Sequence, residues 1–330
     1  MDIRNIRELK SAAGRRLEQA AESRKIILIY SAISILSALL VTVITYCLDL
    51  RVENLGGLSN MGTRSVLTTV SAVLPVVLNI ALMCLELGFL AAMIRIGRGL
   101  YTSVQTLRAG MPRFWAMIRT NLLILTLCFV VGMAAFYLAT MVFVMTPFSD
   151  TAMEILLPIV TSADPTMLVL EESVELQLMD ALIPLFVIFS IVFLVLMLPI
   201  TYRYRMANYV LMHDPAAGAF AALRRSRNMM RGNCMALFKI DLSVWWYYGL
   251  SMLSMLVCYG ELFFAAAGIT LPMSRTVSFF LYYGLSLAIV FSTNIFFRGR
   301  VGVIYAMVFD AIRPKEESSG GVVLGNIFKM

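Results

Sequence analysis

Glu86 is the residue whose type and position could do chemistry most directly, because it is an acid inside a long apolar stretch. A charge at such a position costs about 2.5 to 3.5 kcal/mol on insertion scales, so it usually has a partner or a function. No Lys or Arg lies within one helical turn of it, and Asn79 lies seven residues earlier on nearly the same helix face. Two interpretations remain open: a protonated Glu86 bonded to a neighbouring helix, or a proton- or cation-linked polar site formed with Asn79.

A cluster of arginines is the second candidate site, and it suits the binding of anions. Apolar side chains recur among these arginines at helical spacing, which predicts a basic amphipathic helix. Such a helix can lie in the headgroup plane, where each basic residue contributes about 1 kcal/mol of attraction to an anionic leaflet. The residues predicted to contact anionic lipids or a partner protein are Arg224, Arg225, Arg227 and Arg231.

The ends of this helix are also predicted from residue types. Asp214 is a candidate N-cap, Pro215 suits the first helical position, and Gly232 suits the position just past the helix end. His213, the one histidine in the chain, would then lie at the entry to that helix.

Known catalytic motifs are absent from the sequence. The chain contains no glycine-rich phosphate loop, zinc-binding helix, nucleophile elbow or four-cysteine zinc pattern, and a single histidine cannot supply a metal-dependent phosphodiesterase site. Its five cysteines lie in or beside apolar stretches without Cys-x-x-Cys spacing, which predicts free thiols. We therefore predict no catalytic residue, no bound metal and no cofactor, and we exclude an enzyme of the soluble type.

Six apolar stretches must position these residues. Apolar residues make up 60% of the chain and charged residues only 14%, which exceeds what the core of a soluble protein needs. A helix of about 20 residues spans the roughly 30 Å of bilayer hydrocarbon, and backbone amides there have no water to bond, so each stretch must be helical. The fold predicted is an all-α polytopic membrane protein with spans at residues 26–48, 66–94, 122–145, 181–200, 242–267 and 277–297.

The distribution of positive charge predicts the topology. Of the 27 Lys and Arg residues, 24 lie on one set of alternating segments and three on the other. By the positive-inside bias, the rich segments and both termini face the cytoplasm. The net charge of +7 then forms a belt facing anionic headgroups, and nucleic acid is not an expected partner.

The predicted organisation has three parts. Residues 1–25 form a cytoplasmic amphipathic helix, residues 26–312 form the six-helix transmembrane domain, and residues 313–330 form a flexible cytoplasmic tail. Basic amphipathic connections also precede the third and fifth spans, so the chain can be written as three units of an amphipathic helix and a transmembrane hairpin. The outer loop at residues 146–180 is acidic and lacks basic residues, with apolar runs that suggest short helices.

Several segments resemble a bacterial multi-pass membrane family of unknown function, the domain-of-unknown-function family nine-seven-five. The resemblance lies in residues 6–13 (IRELKSAA) and in residues 204–246, which contain YRMANYVLMHDP, ALRRSRNMMRGN and LFKIDLSVWW, together about a sixth of the chain. The resemblance implies a bacterial source and a loose kinship with the membrane domains of some glycerophosphodiester phosphodiesterases. It supplies no activity and no catalytic residue, and the long acidic outer loop departs from the family's pattern.

Three functions remain open. We favour a non-enzymatic membrane protein that organises, senses or partners with membrane components through its basic helices, with anionic lipids, a membrane protein or a second copy of the chain as partner. The alternative is a transporter or channel with a polar path through Glu86, and a third possibility is a lipid-modifying membrane enzyme. The first predicts sensitivity to charge reversal at Arg224, Arg225 and Arg227, and the second predicts sensitivity to Glu86→Gln.

Overall fold

The structure is a computed structural model, and its described residues are helices joined by short connections, with no strand among them. They divide into two compact units, residues Met1–Met117 with Met206–Met330, and residues Ile118–Arg205. The all-α fold is therefore as predicted. The described residues are 5–54, 61–161, 172–214, 216–260, 263 and 274–313.

Twelve α-helices are described, with a 3₁₀ helix at Val104–Arg113 and a π-helical turn at Asn294–Arg298. The α-helices are α1 Ile6–Gln19, α2 Ser23–Asn54, α3 Met61–Gly97, α4 Phe114–Val144, α5 Phe148–Thr161, α6 Glu172–Tyr204, α7 Ala207–His213, α8 Ala219–Met230, α9 Cys234–Ser243, α10 Trp245–Cys258, α11 Arg275–Thr293 and α12 Gly299–Ile312.

Five helical stretches are long and apolar enough to cross a membrane, where the sequence predicted six spans. The predicted fifth span, residues 242–267, is not among them: Val244 separates α9 from α10, and α10 has 14 residues, or about 21 Å. Part of that predicted span lies outside the described residues. The five stretches are Ser23–Val52, Gly62–Gly97, Val104–Val144, Asp180–His213 and Thr276–Ile312.

Helix α12 forms the centre of the core in the unit that contains the N-terminus. Every residue from Val303 to Phe309 is buried, which indicates a helix enclosed on all sides rather than one with a single apolar face. It contacts α1 and α3. Its small residues permit this packing, since Gly302 lies directly against Met93 of α3.

The predicted amphipathic helices bury their apolar faces against the protein. Leu9 and Ala13 of α1 are buried, and α1 contacts α12. In α8 the buried face includes Ala222 and Met230, and α8 contacts α7. Protein therefore covers much of the face that was predicted to lie on the bilayer.

The amphipathic stretch before the predicted third span is a 3₁₀ helix, with three residues per turn. Its buried residues are Thr106, Leu107 and Gly110, the last two of them three residues apart, while Met111 is exposed. A methyl group at Gly88 of α3 would overlap the carbonyl of Leu107, and one at Gly110 would overlap the carbonyl of Cys84. These two glycines allow the backbones of α3 and the 3₁₀ helix to touch.

The second unit has a small core of its own. Phe143 of α4, Ala152 of α5 and Ala181 of α6 are buried together. Helix α5 lies in the predicted acidic loop, as the apolar runs suggested, and α6 begins nine residues before the predicted fourth span. Two of the loop acids, Asp164 and Glu171, lie outside the described residues.

Candidate functional site

The π-helical turn between α11 and α12 positions Arg298. A π-helical turn holds an extra residue, which changes the direction of the side chains that follow, and such turns are frequent at functional sites. Here the turn ends at Arg298, whose guanidinium lies between α2 and α3. The three elements therefore converge on one charged group inside the candidate spans.

The Arg298 guanidinium lies beside the Tyr247 side chain of α10, and it makes further contacts of two kinds. Its Nη2 donates to the hydroxyl of Tyr30 at 2.7 Å and to Oε1 of Glu86 at 3.2 Å. Its central carbon also lies 4.7 Å from the ring centroid of Tyr30 and 5.6 Å from that of Phe89. Stacking on aromatic faces suits a weakly hydrated guanidinium better than an ammonium. We name Arg298, Glu86, Tyr30 and Phe89 the arginine–glutamate site.

The arginine–glutamate site differs from the one the sequence predicted. Glu86 is ion-paired with Arg298, which lies 212 positions later in the sequence. The Glu86 side chain is 61% exposed and that of Arg298 25%. Asn79 is exposed about two turns earlier in α3, and makes no hydrogen bond to another described residue. The structure does not bring Asn79 to Glu86.

Helix α8 presents the second candidate site, which we name the α8 basic face. Phe220, Arg224 and Arg227 follow one another by four and three residues, so they share one side of the helix. Phe220 is 76% exposed, and both arginines are exposed. Arg231 is exposed at the C-cap of α8, beside them in sequence. An apolar ring among guanidinium groups suits a headgroup surface.

Arg225 does not belong to that face. Its Nη1 donates to Oδ2 of Asp214 at 2.5 Å. Burial alone would raise the pKa of the Asp214 carboxyl, but hydrogen bonds from Arg225 and from the Ala216 N–H, with the charge of Arg225, hold that pKa below its usual value. Arg225 therefore ties the start of α8 to the segment before it.

The predicted start of α8 was wrong, and its predicted end is confirmed. Helix α8 begins at Ala219 with Gly218 as N-cap, and Asp214 is instead the C-cap of α7. Pro215 lies outside the described residues. Gly232 follows the C-cap with a φ of 86°, the left-handed conformation that glycine adopts without strain.

His213 ends α7 instead of opening a helix, and it joins a charged cluster. Arg98 at the end of α3 donates to both carboxylate oxygens of Asp310, at 2.8 and 2.6 Å. Its Nη2 also lies 3.3 Å from Nδ1 of His213, and Arg313 contacts the same ring. Because guanidinium groups only donate, the histidine ring supplies an acceptor, which a neutral imidazole has. The cluster joins the ends of α3, α7 and α12.

A hydrogen-bonded line of two tyrosine hydroxyls and one carboxylate was not predicted from the sequence. The Tyr305 hydroxyl bonds to Oδ1 of Asp241, and it lies 2.7 Å from the hydroxyl of Tyr248. The line joins α9, α10 and α12 through side chains. No local sequence pattern links these three residues, since only the fold brings them together.

Sequence position contains one signal that could have identified the arginine–glutamate site. Arg298 follows the end of the predicted sixth span, Tyr30 lies near the start of the first, and Glu86 lies near the end of the second. Under the predicted topology these three positions are at similar depth on the cytoplasmic side. Depth alone, however, does not show that α2, α3 and the π turn are neighbours.

Metal and disulfide chemistry find no support in the described part of the chain. No group of three or more His, Cys, Asp or Glu residues there could hold a metal ion. The five cysteines are free thiols, as predicted.

Comparison with known proteins agrees with the resemblance in the sequence. The family described as a protein of unknown function (DUF975) matches residues 1–306. No curated protein and no solved structure matches the chain. The loose kinship with glycerophosphodiester phosphodiesterases stays a prediction. Because the match covers more than half of its length, the chain belongs to the DUF975 family.

Proposed function

For this member of a family of unknown function, we propose a non-enzymatic role in which the chain binds anionic lipid headgroups through the α8 basic face. Binding there lets the protein organise, sense or partner with other membrane components. The observation behind the proposal is the exposure of Phe220, Arg224 and Arg227 on one side of α8 while the opposite side is buried.

The energetics favour a lipid surface as the partner of this face. An aromatic ring enters the boundary between headgroups and acyl chains, and each nearby arginine contributes about 1 kcal/mol of attraction to an anionic leaflet. Because guanidinium groups bind phosphate oxygens in pairs, the face also holds individual headgroups in defined positions. A membrane protein with acidic side chains, or a second copy of the chain, is the other partner considered.

The membrane arrangement completes the proposal. The protein is a multi-pass component of a bacterial plasma membrane with six spans and with both termini in the cytoplasm. The five apolar helices support embedding in a membrane, and the charge distribution supports the orientation. The span missing from these five is the predicted fifth, residues 242–267, part of which lies outside the described residues. In this orientation α8 lies on the cytoplasmic side, where anionic lipids attract basic segments.

Lipid retention tests the proposal. The protein is released from nanodiscs of equal phosphatidylglycerol and phosphatidylethanolamine, and native mass spectrometry counts the lipids retained. Replacing Arg224, Arg227 and Arg231 together by Gln removes about 3 kcal/mol of attraction, so we expect retained phosphatidylglycerol to fall by at least tenfold. Added salt has the same effect on the wild type, because it screens exposed charges.

Arg225→Gln is the matched control, since Arg225 lies on the same helix but is paired with Asp214. We expect this variant to retain phosphatidylglycerol as the wild type does. Equal retention by the triple variant and the wild type would contradict the proposed function.

The ion pair in the arginine–glutamate site supports a second candidate, a transporter or channel. Ionisable groups inside membrane spans often line ion or substrate paths. Flux of protons or cations into sealed vesicles, abolished by Glu86→Gln and unchanged by the triple arginine variant, would favour this function over lipid binding.

A further inference from the structure

The arginine–glutamate site has an exposed side that the described protein does not cover. Glu86 and Arg298 both lie within candidate membrane spans, yet the Glu86 side chain is 61% exposed. At the edge of the hydrocarbon, an exposed carboxylate with a single guanidinium partner still carries a desolvation penalty. A polar ligand that covers the pair removes this penalty.

The depth of the site matches that of lipid headgroups. Helix α2 has 32 residues and is about 48 Å long, so about 9 Å extends beyond a 30 Å hydrocarbon layer at each end. Tyr30 is seven residues from the start of α2, which is about 10 Å. Its hydroxyl therefore lies near the boundary of the hydrocarbon, where tyrosine is common in membrane proteins. A headgroup can reach Arg298 at this level.

The hydrogen-bonding groups at the site suit a phosphate. Tyr30 accepts a hydrogen bond from Arg298, and no described residue accepts the proton of Tyr30. The hydroxyl therefore retains a proton to donate to a ligand oxygen. Arg298 Nη2 contacts Glu86 at 3.2 Å, which is longer than the 2.7 to 2.9 Å of a strong charge-assisted bond. The exposed carboxylate can move aside while Arg298 and Tyr30 bind a phosphate oxygen.

Charge balance decides which phosphate compound fits. The pair of Arg298 and Glu86 is neutral overall, so an anionic ligand would leave one negative charge uncompensated in a medium of low dielectric constant. A zwitterion with a phosphate and an ammonium keeps the site neutral. Its phosphate binds Arg298, and its ammonium binds the displaced Glu86 carboxylate.

We propose that the arginine–glutamate site binds the headgroup of a zwitterionic phospholipid with a primary ammonium, with Arg298 and Tyr30 on the phosphate and Glu86 on the ammonium. The site is separate from the α8 basic face and selects a different lipid class. It therefore stands or fails independently of the proposed function.

The test uses the whole protein in nanodiscs of equal phosphatidylethanolamine and phosphatidylglycerol, with native mass spectrometry after release. We expect one phosphatidylethanolamine retained per wild-type chain, with little effect of added salt because neither the Arg298–Glu86 pair nor the zwitterionic headgroup has a net charge. Glu86→Gln leaves a net positive site, so the ratio of phosphatidylethanolamine to phosphatidylglycerol at that site should fall by about tenfold, the effect of one charge-assisted hydrogen bond.

Two further variants keep the proposal testable if Glu86→Gln fails to fold. Arg298→Gln should lose the lipid, and Tyr30→Phe, which removes only the hydroxyl, should weaken its retention. The triple variant of the α8 basic face should leave the retained phosphatidylethanolamine unchanged. The proposal would be overturned by an unchanged lipid ratio in Glu86→Gln. It would also be overturned if the folded Tyr30→Phe and Arg298→Gln variants retained as much phosphatidylethanolamine as the wild type.

Soluble phosphoethanolamine identifies the source of the headgroup. Added at millimolar concentration to the released protein, it should not replace the phospholipid, because it lacks the acyl chains that hold a lipid at this depth. Displacement at that concentration would overturn the assignment to a phospholipid.

Discussion

At the scale of single residues, arginines that look alike in sequence have different roles. Arg298 stacks on Tyr30 and pairs with Glu86, whereas Arg225 pairs with Asp214. Arg224 is exposed on the α8 basic face. Spacing within α8 predicted a group of arginines, but it did not separate the paired one from the exposed ones. The separation depends on where α7 ends, and residue types near Asp214 suggested a different boundary.

The pairing of Asp214 with Arg225 predicts a stability difference that depends on pH. Because the folded-state pKa of Asp214 is lowered, the pair stabilises the protein above the usual carboxyl pKa of about 4 and loses this effect as the pH falls below it. We expect Arg225→Gln to be less stable than the wild type by up to about 1 kcal/mol at pH 7.

Thermal unfolding in detergent at several pH values measures this difference. The gap between Arg225→Gln and the wild type should close as the pH falls from about 4 towards 3. Asp214→Asn should behave like Arg225→Gln throughout. A gap of the same size at pH 3 and pH 7 would contradict the pairing.

At the scale of helices, close packing in the N-terminal unit depends on residues without side chains. Gly88 and Gly110 let α3 and the 3₁₀ helix meet at backbone distance. The sequence predicted a regular amphipathic helix at that place, because apolar residues recur there at spacings that suit one. It did not show the 3₁₀ geometry of this segment, which packs against α3.

Replacing either of these glycines by alanine is expected to destabilise the protein. The added methyl group at Gly88 or Gly110 meets a backbone carbonyl that cannot move alone, so the cost is at least about 1 to 3 kcal/mol. Gly284→Ala in α11 is the control, because nothing lies within 4 Å of its added methyl group and alanine favours a helix. Unfolding temperature and the yield of folded protein measure the outcome. Equal stability of Gly88→Ala and Gly284→Ala would refute the close contact.

At the scale of the whole molecule, composition predicted the helical membrane fold, and five of the predicted spans correspond to apolar helices long enough to cross a bilayer. The residue pattern of α1 and α8 predicted amphipathic helices but not what covers them. Leu9 would be apolar whether it faced lipid or α12, so the distinction requires the tertiary structure. The same limit explains why Glu86 was found and Arg298 was not: their contact joins distant parts of the chain.

Orientation in the membrane gives a further test. We expect a cysteine placed at Arg64 to react with an impermeant maleimide in intact cells, because this position lies in a predicted outer connection and is exposed. A cysteine at Arg227 should react only after permeabilisation. The unsubstituted chain gives the background from its own thiols. Labelling of residue 227 in intact cells would contradict the proposed topology.

The burial of α12 against α1 bears on how the protein is made. Residues near Leu9 leave the ribosome long before Tyr305 does, and at 5 to 20 residues per second the interval is roughly 15 to 60 s. During that time α1 lacks the helix that covers it, and its apolar side is open to chaperones, proteases and the bilayer surface. Translation of an mRNA truncated before α12 would yield chains whose first helix is uncovered. The exposed apolar side of α1 would then identify incomplete chains to quality-control proteins.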